Sequence, residues 1–156
     1  MTNLKEMHDL GCDIGKRSIR MRNTVGSFFL VPAEPRPLLI STPWTCPEEK
    51  PVYIGAMRQI LEEEKIEAYT FVAEAWLASY NPRVNPELAN ISPRNRSQRE
   101  DVVIVMSRSR SGESLTTKFV IDYDAEGKAT LGPQEDMMND LTGGTGLMEN
   151  LFDEAA

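Results

Sequence analysis

No segment limits the possible folds of this chain as much as Ile66–Tyr80, IEAYTFVAEAWLASY. Strict alternation puts Tyr69, Phe71, Ala73, Ala75 and Leu77 on one face. The opposite face carries Ile66, Ala68, Thr70, Val72, Glu74 and Trp76. Both faces are largely apolar, so the segment reads as an interior strand covered on two sides. Glu74 and Trp76 share a face near its end, which is the first place to look for a site.

The flanking sequence supplies more strands and one clear helix. GSFFLVP at Gly26–Pro32 and LLIST at Leu38–Thr42 are short apolar runs separated by Pro32, Pro35 and Pro37. Proline cannot donate a ladder hydrogen bond, so these runs read as a hairpin or β-corner at or near a sheet edge. A proline-bounded turn with Trp44 follows. From about Glu48 or Pro51 to Lys65, the residues Tyr53, Met57, Ile60 and Leu61 recur at helical spacing, with Ile54 beside them. Further on, Asp101–Arg110, Leu115–Tyr123 and Lys128–Leu131 alternate between turns at Ser111–Ser114 and Asp124–Gly127, the pattern of a β-meander.

These elements predict an α+β domain over residues 23–133, a bent antiparallel sheet of about five or six strands with one main covering helix. Residues 1–22 read as a mobile N-terminal arm. Thr2 suits the cap of a short helix over Leu4, Met7 and Leu10, but Gly11 and Gly15 fray it before the basic run of Lys16, Arg17, Arg20 and Arg22. Residues 134–156 read as an acidic, largely flexible tail. Six carboxylates and no Lys or Arg follow Gly132. Within that tail a short helix at Gly146–Phe152 is expected to dock on another surface. One helix cannot cover two apolar sheet faces. The second therefore calls for the arm, the tail, a second copy in a homodimer or another protein.

The net charge of -7 opposes non-specific nucleic-acid binding and attraction to an acidic membrane surface. No apolar run approaches the roughly 18 residues of a membrane span. Met1–Asp13 has no secretory pattern. Cys12 and Cys46 lie far apart with no Cys-x-x-Cys spacing, which predicts reduced thiols in a cytoplasmic protein and no zinc site. One region breaks the acidic trend. Arg83, Arg94, Arg96, Arg99, Arg108 and Arg110 face only three acids over the same span, and the first three lie in the loop-like stretch Asn81–Gln98.

Candidate chemistry is sparse. Glu74 in an apolar strand needs a partner, and Arg108 or Arg110 on a neighbouring strand is the simplest. The functional reading makes it a general base beside an aromatic wall. His8 is the single histidine and serves no Ser-His or Cys-His arrangement unless the arm folds over the core. Asp122 and Asp124 read as turn formers. LTGGTG lacks the preceding strand and the Gly-Lys-Ser/Thr of a phosphate loop.

The runs VAEAWLASYNPR, SPRNRSQREDVVIVMSRSRSG and DAEGKATLGP carry a resemblance over roughly Ile66–Pro133. They resemble small uncharacterised proteins of bacteria and their phages that show an Ala-Glu-Ala-Trp strand and a following Arg-Glu, Val-rich strand. The matching residues are Ala73–Trp76 and Arg99–Glu100. The resemblance implies an accessory protein and brings no established activity.

Together these features favour a non-enzymatic interaction or regulatory module acting on another protein or on itself. Its binding residues would be Trp76, Arg83, Arg94, Arg96, Arg99 and Arg108. One alternative is a small-ligand or hydrolytic pocket around Glu74 and Trp76, with Trp44 and Arg110. Another is RNA or nucleotide recognition by the arginine-rich loop with stacking aromatics. No catalytic residue, cofactor or metal is assigned.

Overall fold

The computed structural model describes residues 3–43, 48–77, 100–137 and 151–152. Six strands form one antiparallel sheet: β1 (Phe28–Val31), β2 (Leu38–Ser41), β3 (Ala68–Leu77), β4 (Glu100–Ser109), β5 (Ser114–Tyr123) and β6 (Ala129–Met137). Their spatial order is β2-β1-β3-β4-β5-β6, with β3 and β4 at the centre. The register pairs Phe71 with Met106 and Phe29, and Val72 with Val105 and Phe28. The α+β class, the six-stranded antiparallel sheet and the hairpin at its edge agree with the pattern in the sequence.

Two helices cover the sheet, one on each face. Helix α2 (Lys50–Glu63) sets Ile54, Met57 and Leu61 against Phe29, Val31, Tyr69, Phe71, Ala73 and Met106. Its N-terminus carries Pro51, whose fixed φ suits the first helical turn. The other face belongs to α1 (Leu4–Arg22). Asn3 caps it by accepting from the Glu6 N–H at 2.8 Å. Asn23 ends it in the left-handed region at φ 63°, and its amide donates to Gly127 O at 3.0 Å. The helix is therefore tied at its C-terminus to the β5–β6 turn.

This corrects the expectation of a mobile arm over residues 1–22; the long covering helix expected of this fold is present, but it comes from this segment and not from residues 48–65. The long helix that contacts several strands is α1 itself. Its buried stripe is Met7, His8, Gly11, Cys12, Gly15 and Ile19, at helical spacing but poor in large apolar side chains. The glycines let the helix axis approach the sheet. A Cβ on Gly11 would stand 2.9 Å from Thr70 Cγ2, and one on Gly15 would stand 3.2 Å from Val103 Cγ1. The glycines expected to fray this helix are thus what allows it to dock. From Tyr69 to Ala73 both sides of β3 are shielded by the chain's own helices, so the apolar faces there no longer demand a second copy or a partner.

The C-terminal boundary also shifts. The last strand continues through Gln134–Met137, residues expected to begin the tail. An irregularity between Phe119 and Ile121 in the β5–β6 register accommodates Gly132 and Pro133. Leu151 is buried in the α2-side core, and the Phe152 ring lies 5.2 Å from Tyr69. Tail residues 138–150 and 153–156 lie outside the described residues.

Candidate functional site

Glu74 lies exposed on the α1 side of β3. It accepts from the Thr24 hydroxyl at 2.6 Å and from the Val25 N–H. These bonds fasten the chain leaving α1 to the central strand. The expected pairing with Arg108 or Arg110 does not occur. Register explains this, because Glu74 stands opposite Val103, whereas Arg108 stands opposite Tyr69 at the far end of the ladder. Arg108 donates to Ser107 O at 2.9 Å and Leu115 O at 3.4 Å. Arg110 lies over the Phe152 ring at 4.7 Å and donates to Ile66 O at 3.0 Å. Glu62 and Glu67 approach it at 3.9 Å each. Both arginines therefore serve the fold locally.

A cavity of about 240 Å3 does open beside Glu74, lined by Ala75, Asp101, Val102, Ile121 and Tyr123. Burial and the nearby Glu74 and Asp101 carboxylates push the Tyr123 phenol up from its ordinary value. Among the described residues no cation lines the cavity, and neither Arg108 nor Arg110 reaches it. Trp76 occupies its place in β3 opposite Asp101. Trp44, Arg83, Arg94, Arg96 and Arg99 lie outside the described residues.

His8 takes part in an arrangement the sequence made conditional on the arm folding over the core. Its ring meets Ser107 Oγ at 2.6 Å through Nδ1 and Thr117 Oγ1 at 2.8 Å through Nε2. Ser107 also meets Thr70 Oγ1 at 2.6 Å, and Thr117 donates to Asp136 Oδ1 at 2.8 Å. One direction of donation satisfies the whole chain. Thr117 gives its proton to Asp136, so it accepts from Nε2–H. The bare Nδ1 then accepts from Ser107, which accepts from Thr70. This requires neutral His8, and burial lowers its pKa accordingly. The Thr117 hydroxyl in turn lowers the pKa of Asp136. Ser107 has no exposed surface, so a substrate cannot reach its hydroxyl. The arrangement is a buried polar seam between α1 and the sheet. Cys12 lies in the same layer, its thiol pushed up to about 11 by burial, which removes thiolate chemistry at neutral pH. Among the described residues no group of His, Cys, Asp and Glu has metal-site geometry. No helix among them is long and apolar enough to cross a membrane.

A wider open space lies elsewhere, where the C-terminal half of α1 passes the β1–β2 hairpin. A groove of about 450 Å3 runs there between Ile14, Arg17, Met21 and Arg22 of α1 and Phe28, Leu39 and Ser41 of the strands. Met21 is 81% exposed and Leu39 44%. These apolar side chains lie at or beside β2, an edge strand of the sheet among the described residues. Lys16 is engaged, 3.8 Å from Asp13 and 5.4 Å from the Phe119 ring. Arg17 and Arg22 make no ion pair among the described residues, although the whole chain is acidic. The sequence shows this basic run, but only the docking of α1 beside the hairpin turns it into one wall of a groove.

Comparison with protein-family models, curated proteins and solved structures finds no match to this chain.

Proposed function

We propose that this chain is a non-enzymatic interaction module that binds another protein in the groove between α1 and the β1–β2 hairpin. In the bacterial or phage setting that the sequence resemblance suggests, it would act as an accessory protein on a host protein. The observation that carries the reading is the pairing of exposed apolar groups, Met21 and Leu39, with the guanidinium groups of Arg17 and Arg22, which make no ion pair among the described residues, around one open space. Apolar contact supplies affinity, and the cationic wall orients an acidic partner against a molecule of net charge -7.

This moves the binding surface away from the sheet face, which is covered, and from the arginine-rich loop, which lies outside the described residues. Against a reacting centre, the Ser107–His8 contact is sealed, and Glu74 already accepts two hydrogen bonds from the chain's own residues.

Site-directed photo-crosslinking tests the reading. A benzophenone side chain replaces Met21 in the groove in one variant, and Val52 on the exposed side of α2 in another. A discrete adduct from position 21, absent from position 52 and lost on adding Arg17→Glu with Arg22→Glu, is the expected result. Equal labelling from both positions, or none from position 21, would reject it.

A further inference from the structure

The groove has a second property, set by the hydrogen-bond alternation of β2. Thr42 N–H donates inward to Ser27 O at 3.0 Å, and Phe29 and Val31 stand opposite Ile40 and Leu38. In an antiparallel ladder a residue's N–H and C=O point to the same side, and the side alternates. Leu38, Ile40 and Thr42 therefore turn their backbone groups toward β1. Leu39 and Ser41 turn theirs outward, and among the described residues no strand lies beyond β2.

The side chains of these two residues face the groove. Leu39 stands opposite Leu30 and Ser41 opposite Phe28, and both partners belong to the α1-side core. One short segment thus offers outward backbone donors and acceptors beside the groove's apolar floor and its Arg17–Arg22 wall. The opposite edge is built otherwise. There β6 carries Pro133, exposed Gln134, Glu135 and Asp136, the kind of residues that discourage further pairing.

We propose that the groove's occupant is an extended, acid-flanked apolar peptide segment of a partner protein, which adds to β2 as a seventh strand. The inference rests on the interaction-module reading and names the partner's chemistry. The peptide pairs through its main chain with Leu39 and Ser41. Its α1-facing side chains meet Ile14, Met21 and Phe28, and a carboxylate reaches Arg17 or Arg22. Pro37 and Pro43 flank β2 and keep the paired stretch short. Charge selects this occupant over a second copy. Antiparallel pairing of β2 with its own copy places both α1 helices on the same side of the joined sheet, so one cationic wall would approach the other.

The test is fluorescence anisotropy on the full chain with a labelled octapeptide of alternating valines flanked by glutamate and aspartate. Three controls accompany it: the same peptide N-methylated on the pairing-edge amides, a lysine-flanked version, and light scattering for self-association. Saturable binding with a Kd below about 1 mM is expected, weakened at least about tenfold by N-methylation and by Arg17→Glu with Arg22→Glu. Ser41→Pro removes an outward donor and leaves the inward bonds of Ile40 and Thr42 intact, so it should weaken binding comparably at unchanged melting temperature. The N-methylated peptide reads the same bond without any change to the protein.

No saturable binding by the acid-flanked peptide would overturn the proposed occupant. So would equal binding of the N-methylated or lysine-flanked peptide, or a dimer that Ser41→Pro disperses. If the peptide experiment fails while crosslinking from position 21 still gives its adduct, strand addition is wrong and the interaction module stands. Failure of the crosslinking removes both.

Discussion

The two faces of the sheet are closed by different means. On the α2 side, large side chains meet across a gap: Phe29, Tyr69 and Phe71 form an aromatic group with ring centroids 4.8 to 5.9 Å apart, and Met57 and Leu61 lie over it. On the α1 side the helix backbone comes down onto the strands through Gly11 and Gly15, and a chain of hydroxyls and one imidazole runs through the contact. The first face depends on buried volume. The second depends on close approach and on every polar group finding its partner. The two layers should therefore respond differently to substitution, the first to lost volume and the second to an added methyl group.

The largest effect expected from this contrast is on the aromatic side. Phe71→Ala should cost about 3–5 kcal/mol, since it removes a ring that is 4% exposed and leaves a cavity. Urea titration of the melt measures it, and a loss under about 1 kcal/mol would show that this layer collapses readily. Next comes a pair of identical substitutions on the two helices. Gly11→Ala drives a methyl to 2.9 Å from Thr70 Cγ2, and Thr70 cannot turn aside without giving up its bond to Ser107. Overpacking of about 1–3 kcal/mol should exceed the gain in helix propensity, and the protein should become less stable.

Gly55→Ala on α2 meets nothing within 4 Å and should stabilise by up to about 1 kcal/mol. Opposite signs in thermal melts of the two variants sharpen the comparison. Equal signs would break it. The mildest probe is pH. His8 binds its proton more weakly in the folded state than in the unfolded chain, so the unfolded chain takes up the proton first as pH falls. Stability is fully present above the ordinary histidine value near 6.5 and declines as pH drops from there toward the lowered folded value. His8→Gln keeps a donor and an acceptor but does not titrate, and it should flatten the stability profile over that window. A slope that survives in His8→Gln just below pH 6.5 would assign it to groups other than His8, and not to Asp136, whose lowered carboxyl acts only below its ordinary value of 3.8.

The face assignments of β3 and β4 were legible in the sequence because a period of two and large apolar side chains mark them unambiguously. Tyr69, Phe71 and Ala73 do face one helix, and Thr70 and Val72 the other. The α2 helix was legible for the same reason. The α1 helix was not, because between Met7 and Ile19 the residues that bury it are glycine, cysteine and histidine, which local propensity counts against a helix or leaves neutral. Their fitness shows only against the strands they touch. Glu74 taught a related lesson: a carboxylate in an apolar strand did need partners, but register placed Thr24 and Val25 beside it and kept Arg108 and Arg110 away.

By itself, then, the amino-acid order determined the strands, their inward and outward residues, the α2 helix and the acidic character of the molecule, since each follows from local periodicity or from charge. The tertiary structure alone decided that residues 4–22 form the second cover, that His8 meets Ser107 and Thr117 from about a hundred positions away, and that Arg17 and Arg22 line a groove beside β2, an edge strand among the described residues. Those facts depend on how closely two distant surfaces approach. No local pattern encodes that distance, because it is set by the absence of side chains at Gly11 and Gly15 as much as by the presence of others.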